Sequence, residues 1–159
     1  MIPEIEQKKQ SLLQRIVEEI RQAHGDRRAR MAERYVTQCF RRVPHEEMME
    51  EPPATLAAMV VGQMEFLARR QPKEVLIRIF NPTVEADGWE SSHTIVEVVN
   101  DDMPFLVDTA ALTVSEMGLG IHLVVHPVIR VGRDGEGRLT TVHEKGAGKG
   151  TAESVIQLQ

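Results

Sequence analysis

The sequence contains few of the residues that mark a secreted, membrane or disulfide-linked protein. It has a single cysteine, Cys39, and aromatic residues make up only 4% of the chain. A lone cysteine cannot form an internal disulfide and is typical of a reducing compartment, so we expect a cytoplasmic protein with Cys39 buried in a helix. No apolar run approaches the roughly 20 residues that span a bilayer, and the polar, acidic start is not that of a signal peptide. These absences predict a soluble protein that does not contact a membrane.

The distribution of charge limits the possible partners. Residues 1–73 hold 13 Lys and Arg against 11 Asp and Glu, a net charge of +2, and residues 74–159 hold 6 against 13, a net of −7. An acidic second half lacks the basic face that nucleic acid requires. We interpret the basic cluster Arg27, Arg28, Arg30 and Arg34 mainly as a solvated helix face, and secondarily as an intersubunit or interdomain contact. The sequence therefore predicts no nucleic-acid partner.

The first part of the chain, residues 1–72, has the apolar periodicity of helices. Helices are predicted over residues 3–24, 27–43 and 54–70, because apolar residues recur on one face of each. The residues of these faces are Ile5, Leu12, Leu13, Ile16, Val17 and Ile20, then Met31, Tyr35, Cys39 and Phe40, then Leu56, Met59, Val60, Gln63, Met64 and Leu67. Such faces need a partner, so we expect the helices to form a small bundle, to cover a sheet, or to do both.

The second part, residues 73–159, has the alternation of β-strands. Strands are predicted over residues 75–80, 94–99, 121–131, 139–142 and 154–158, with one helix over residues 104–117. If the first two strands pair, Arg78 can lie opposite Glu97. The order after residue 94 is strand, helix, strand, strand, which is most of a split β-α-β-β-α-β unit of the ferredoxin-like kind. The fold is therefore predicted to be α+β, truncated before a second helix and last strand that would follow Gln159.

The junction between the second strand and its helix is the best candidate site. Asp101 and Asp102 are expected to cap the helix, and Pro104 suits its first turn. Backbone N–H groups and the positive end of the helix dipole then face outward and can hold a small anion. Asp108 lies one turn into the helix, where a surface position is the simpler interpretation and contact with a ligand's ammonium group is the alternative.

Three motifs in this half resemble one family. The order strand, Asp-x-Pro-x-Leu-x-Asp, helix and Gly-x-Gly-Ile is similar to the opening of an ACT-type amino-acid-sensing domain. More specifically, the sequence resembles the N-terminal region of the very large bacterial NAD-specific glutamate dehydrogenases. The runs that carry this resemblance are Asp101-Asp102-Met103-Pro104-Phe105-Leu106-Val107-Asp108, His126-Pro127-Val128 and Arg133-Asp134-Gly135.

The resemblance implies a regulatory or assembly module in a long polypeptide. The parent enzyme would oxidise L-glutamate to 2-oxoglutarate and ammonia with NAD. Its catalytic and cofactor residues would lie elsewhere, so we expect none of them here, and no Gly-x-Gly-x-x-Gly dinucleotide motif occurs in the chain. The expected partners are the rest of the parent chain and further copies in a homo-oligomer. The alternative is a freestanding ACT-like amino-acid sensor.

Two functions remain open for the module itself. It can bind an amino-acid effector, whose carboxylate would lie on the helix N-terminus and whose ammonium would lie near an aspartate; the candidate residues are Asp101, Asp102, Met103, Phe105, Leu106 and Asp108. It can instead serve assembly. ACT-type sites usually have glycine after the proline, and Phe105 in that place is expected to plug the site or to pack in the core. We therefore favour assembly or interdomain coupling over direct binding.

Two further patterns suggest sites that we do not expect to exist. Gly146-Ala147-Gly148-Lys149-Gly150-Thr151 lacks the Ser or Thr after lysine and the first glycine of a phosphate-binding loop, so a linker is the better interpretation. His122 and His126 lie four residues apart on one strand, about 13 Å along it, which is too far for one zinc ion without a bend. We predict no metal site.

Overall fold

The computed structural model describes residues 3–159 and begins with a layer of helices. They are α1 (Glu4–His24), α2 (Asp26–Cys39), the short α3 (His45–Met49) and α4 (Pro53–Phe66). Gly25, with φ of 85°, separates the first two. The three predicted helices are confirmed. The second and third end about four residues earlier than predicted, at Cys39 and Phe66, since no strong stop signal follows either helix in the sequence.

The predicted apolar faces meet in one core. α1 packs on α2 and α4, while α2 also packs on two strands of the sheet. Leu12, Ile16 and Ile20 of α1 are buried together with Tyr35 and Val60. The same hydrophobic cluster includes strand residues, among them Val99, Val125, Ile129, Val131, Val142 and Val155. The helices therefore form a bundle and also cover one face of the sheet, which are the two arrangements left open by the sequence.

The sheet has six strands. They are β1 (Leu76–Phe80), β2 (Ile95–Asp101), β3 (Val124–Val125), β4 (Val128–Arg133), β5 (Leu139–His143) and β6 (Thr151–Leu158). Their order is β1-β2-β6-β4-β5, with β3 also paired to β6, and every pairing is antiparallel. Because β6 pairs with β2 on one side and with β3 and β4 on the other, β2 and β4 run parallel. The α6 helix (Leu106–Glu116) connects them, and this is the predicted split β-α-β arrangement.

The strand predicted over residues 121–131 is interrupted once. Val124 pairs with Leu158 and Val128 with Ser154, so β3 and β4 keep the same register against β6 across His126 and Pro127. The gap between β3 and β4 follows from Pro127, because proline has no N–H to donate to a neighbouring strand. The Pro127 carbonyl still accepts a hydrogen bond of 3.0 Å from the Val155 N–H.

The first strand lies on the outer edge of β2, where the last strand of a ferredoxin-like unit is expected. Its register places Arg78 opposite Glu97, as predicted. The short α5 helix (Val84–Asp87) lies in the connection from β1 to β2. The α+β, ACT-like class is confirmed, while the division of the chain at residues 72 and 73 stays a prediction.

The second face of the sheet lies opposite the helical layer. The side chains of three β6 residues, Glu153, Val155 and Gln157, lie on the face that the helices cover. Because successive side chains of a strand point to opposite faces, Ile156 and Leu158 lie on the other face. They are nevertheless only 1% and 2% exposed. No residue of α6 itself is buried.

Candidate functional site

The junction between β2 and α6 is more irregular than the sequence suggests. The helix begins at Leu106, and the residue before it, Phe105, has a left-handed φ of 66°. No side chain makes a capping hydrogen bond to this helix. The expectation that Asp101 and Asp102 cap it is therefore wrong. The reason is that both aspartates still belong to the sheet: β2 extends to Asp101, and the Asp102 N–H donates to the Ala152 carbonyl over 3.1 Å.

Asp101 faces the helical layer. Its carboxylate lies 2.9 Å from Nη2 of Arg70, a residue that follows α4. Arg70 also donates from Nη1 to Glu153, and Arg133 donates to the same carboxylate over 2.8 Å. Glu153 is 1% exposed, so this ion-pair cluster is buried between the helices and β6. Through Arg70, Asp101 of the predicted site therefore contacts the ion-pair cluster between the helical layer and the sheet.

Asp102 and Asp108 act on the other face of the sheet, where they influence His126. Burial lowers the pKa of His126, while the negative charges of Asp102 and Asp108 partly oppose that effect and Arg42 adds to it. His126 Nε2 lies 2.6 Å from the Ser154 hydroxyl. Consecutive aspartates therefore lie on opposite faces, and of the predicted carboxylates Asp102 and Asp108 are the two whose charges act on His126.

The apolar residues of the junction are exposed. Phe105 is 76% exposed and Met103 is 48% exposed, whereas Leu106 is half-buried. The expectation that Phe105 plugs the site or packs in the core is wrong, because its left-handed backbone directs the side chain to solvent. Asp108 lies in the first turn of α6, as predicted. Effector binding by Asp101, Asp102, Met103, Phe105, Leu106 and Asp108 stays a prediction.

The remaining candidate residues have structural partners. His122 stacks on His93 with ring centroids 4.5 Å apart. Within residues 3–159, no group of three or more His, Cys, Asp or Glu side chains is arranged to hold a metal ion. Cys39 is buried in α2, as predicted, and burial raises the pKa of its thiol to about 12. Nor is any helix of this part of the chain long and apolar enough to cross a membrane.

A cavity lies between the helical layer and the sheet, and no sequence pattern predicted it. It measures about 780 Å³ and is lined by residues from α2, α3 and α4 and from the ends of the strands. Its lining includes Gln63 and Gln157, which are 94 positions apart and joined by a buried hydrogen bond of 3.1 Å. Only the placement of α4 against β6 brings them together, so no local pattern could have found this site.

Comparison with known proteins agrees with the resemblance. A family model described as "Glutamate dehydrogenase, ACT1 domain" matches residues 35–159. The chain is 28% identical over 137 residues to the NAD-specific glutamate dehydrogenase of Halomonas elongata, covering 86% of this chain. It is 30% identical over 137 residues to the enzyme of that name from Pseudomonas aeruginosa, covering 85% of this chain. It spans only 8% of the length of each relative.

No solved structure gives a significant match. The family model nevertheless covers more than half of the chain, including the end of α2, all of α3 and α4, and the whole sheet. On this evidence the chain belongs to the glutamate dehydrogenase ACT1 domain family.

Proposed function

We propose that the chain is a non-catalytic assembly and regulatory module of a large NAD-dependent glutamate dehydrogenase in the cytoplasm. The parent enzyme would convert L-glutamate, NAD and water to 2-oxoglutarate, ammonia and NADH. Support for this comes from the family and from the names of its relatives, which match over a small part of their length. The catalytic and NAD-binding residues would belong to other parts of the polypeptide.

The observation that carries the assembly role is the exposed apolar stripe on β1. Ile77 and Ile79 point away from the helical layer and are 63% and 67% exposed, and Val75, just before the strand, is 49% exposed. We call these three residues the β1 stripe. Among the described strands β1 pairs only with β2, so its outer edge has unpaired backbone groups. An exposed, apolar edge strand is a template for pairing with another segment.

The usual protection of an edge strand is missing here. Charged residues on edge strands discourage unwanted pairing. The one charge within β1, Arg78, points to the opposite face, where it donates to Glu97 over 3.0 Å and lies over the rings of Phe66 and Phe80. Its guanidinium is therefore used within the domain and does not protect the stripe.

The partner that we assign to the β1 stripe is a segment of a neighbouring copy of the parent polypeptide in a homo-oligomer. The curated relatives are more than ten times as long as the region they share with this chain, which leaves ample chain to supply that segment. Further exposed apolar residues lie at and after α6, namely Phe105, Leu112, Met117 and Leu119. They offer additional area for the same kind of contact between subunits of the homo-oligomer.

The experiment compares the product of the full native reading frame with the same protein lacking residues 1–159. Light scattering gives the mass of each particle, and NADH absorbance gives the rate of NAD reduction with L-glutamate. We expect the full protein to reduce NAD with glutamate and the shortened one to form a smaller or dispersed assembly. An unchanged mass and rate without these residues would contradict the assembly role.

A second candidate function, amino-acid sensing at the β2–α6 junction, is favoured by one observation. Asp102 and Asp108 both lie exposed at the start of α6, and the charges of both act on His126, so two carboxylates are available to an ammonium group. A thermal-melt screen of the chain against the twenty L-amino acids tests it, since a ligand at 100 times its dissociation constant stabilises a fold by about 2.7 kcal/mol. A selective shift that is lost in Asp102→Ala would support sensing here.

A further inference from the structure

The cavity between the helical layer and the sheet has the dimensions of a ligand site. Its volume of about 780 Å³ lies within the range of small-molecule pockets. Its apolar wall is formed by side chains from both layers, chiefly Phe40, Met48, Met59, Trp89 and Leu123. Methionine side chains are flexible and adapt to ligands of different shape. The walls therefore suit a compact apolar or aromatic group.

One wall of the cavity contains a buried hydrogen-bond donor without a partner. Gln157 is 5% exposed and lines the cavity, and its Nε2 group has no hydrogen-bond partner within residues 3–159. An unpaired buried donor costs about 1–3 kcal/mol. A neutral carbonyl or hydroxyl oxygen on a ligand in the cavity would satisfy this donor once the side chains around Gln157 move aside to expose it.

A chain of hydrogen bonds fixes which end of the Gln157 amide is free. The buried Tyr35 hydroxyl donates to Oε1 of Gln63, and Nε2 of Gln63 donates to Oε1 of Gln157 over 3.1 Å. Turning the Gln157 amide over would place two NH₂ groups against each other. This relay from α2 uses Oε1 of Gln157 and leaves its Nε2 as the unpaired end.

The mouth of the cavity is acidic. Four exposed carboxylates line it, those of Glu47, Glu50, Glu51 and Glu90, and no lysine or arginine lies among the lining residues of the described chain. A cation is attracted to such an opening and an anion is repelled. The carboxylates at the mouth therefore favour a positively charged group on the ligand, and Gln157 favours a neutral oxygen on the same ligand.

We propose that this cavity binds a small organic cation, a primary amine on an apolar or aromatic body that also carries a neutral carbonyl or hydroxyl oxygen. The amine lies among the carboxylates at the mouth, the apolar body contacts Met59 and Trp89, and the oxygen accepts from Gln157. Binding here does not depend on the proposed role in glutamate dehydrogenase. It is also separate from the β2–α6 junction, since none of the residues predicted there lines the cavity.

The chain provides its own probe of this binding. Trp89 is the only tryptophan in the sequence and lines the cavity, so its fluorescence reports on a ligand bound there. We would titrate the 159-residue chain at low ionic strength with three compounds that share one body: L-phenylalaninamide as the cation, N-acetyl-L-phenylalaninamide as the neutral form and N-acetyl-L-phenylalanine as the anion. The expected order of affinity is cation, neutral form, anion, with about tenfold or more between the first and the last. Equal affinities, or no response to the cation, would overturn the proposal.

Two comparisons separate the contributions of charge and hydrogen bonding. Replacing Glu50 and Glu51 together by glutamine should weaken L-phenylalaninamide binding about fivefold, whereas the matched double variant Glu85→Gln with Glu116→Gln, outside the cavity, should leave it unchanged. Phenethylamine, which has the amine and the ring but no carbonyl, should bind about fivefold more weakly than L-phenylalaninamide because Gln157 stays unpaired. Equal effects of the two double variants would overturn the role of the mouth, and equal binding of the two amines would overturn the role of Gln157.

Discussion

Arg70 donates a hydrogen bond from Nη1 to Oε2 of Glu153 over 2.6 Å, and the two side chains are only 3% and 1% exposed. Arg133 shares the same carboxylate, and Arg70 also reaches Asp101 at the end of β2. The buried Glu153 carboxylate, in the central strand β6, thus holds the segment after α4 and the β4–β5 hairpin in place relative to β6.

Replacing Glu153 by glutamine should destabilise the fold strongly. Arg133 would lose its counter-charge and Arg70 would keep only that of Asp101, and breaking a buried ion pair from one side costs about 3–5 kcal/mol. Urea unfolding measures the free energy of unfolding of the wild type and of the variant. The control is Glu65→Gln, which removes an exposed partner of Arg28 at 2.8 Å and should cost about 0–1 kcal/mol. Equal losses in the two variants would show that the buried cluster does not hold the layers together.

The β4–β5 turn has one glycine that cannot be replaced and one that can. Gly137 has φ of 78°, and an added Cβ would lie 2.4 Å from the Arg70 carbonyl oxygen. Gly137→Ala should therefore cost about 1–3 kcal/mol, because the strained backbone and the clash displace Arg70. Gly135 lies in the same turn with open space around it, so Gly135→Ala should change stability by less than about 0.5 kcal/mol. Thermal melts of the two variants, compared side by side, check this; a tolerated Gly137→Ala would contradict the close approach.

Glu97 should make stability depend on pH in a specific direction. Burial raises the pKa of Glu97 above its ordinary value of 4.5, although Arg78 opposes part of that effect. The folded state therefore binds this proton more tightly than the unfolded state does. The contribution of Glu97 to stability is fully present below its unfolded pKa and is lost as pH rises through the raised folded pKa.

Comparison of the wild type with Glu97→Gln isolates this group. The unfolding free energy of the wild type, taken relative to the variant, should fall as pH rises above 4.5 and through the raised folded pKa of Glu97. Urea unfolding at several pH values measures it, and Glu65→Gln supplies an exposed carboxylate for comparison. A difference that rises with pH would mean that attraction to Arg78 outweighs burial.

Much of the fold was predictable because its signals are local. The alternation of residues 75–80 and 94–99 set the faces of β1 and β2 and so placed Arg78 opposite Glu97, as the structure has them. Helix periodicity likewise identified Tyr35, Gln63 and Leu67 as inward-facing positions. Patterns of this kind depend only on which neighbours share a face.

The candidate sites were less predictable because they depend on contacts between distant parts of the chain. Asp102 followed by Met103 and Pro104 is a reasonable helix start, yet the ladder to β6 continues through Asp102 and delays the helix to Leu106. Similarly, nothing near Gln157 in the sequence indicates that Gln63 bonds to it. Such features are determined by tertiary pairing, which overrides local preference.

The central claim is that the β1 stripe contacts a neighbouring copy of the parent glutamate dehydrogenase. Ile77→Glu with Ile79→Glu, made in the full-length protein, tests it most directly, with Ile5→Glu as a control that replaces an equally apolar residue, 59% exposed, on α1. Because both isoleucines are exposed in this chain, the double variant of residues 1–159 should keep its melting temperature within a few degrees.

The decisive measurement is the mass of the full-length proteins by light scattering. We predict that the stripe variant loses the assembled mass of the wild type while the Ile5 variant keeps it. If the stripe variant assembles and reduces NAD as the wild type does, the β1 stripe is not the contact surface and the account is wrong.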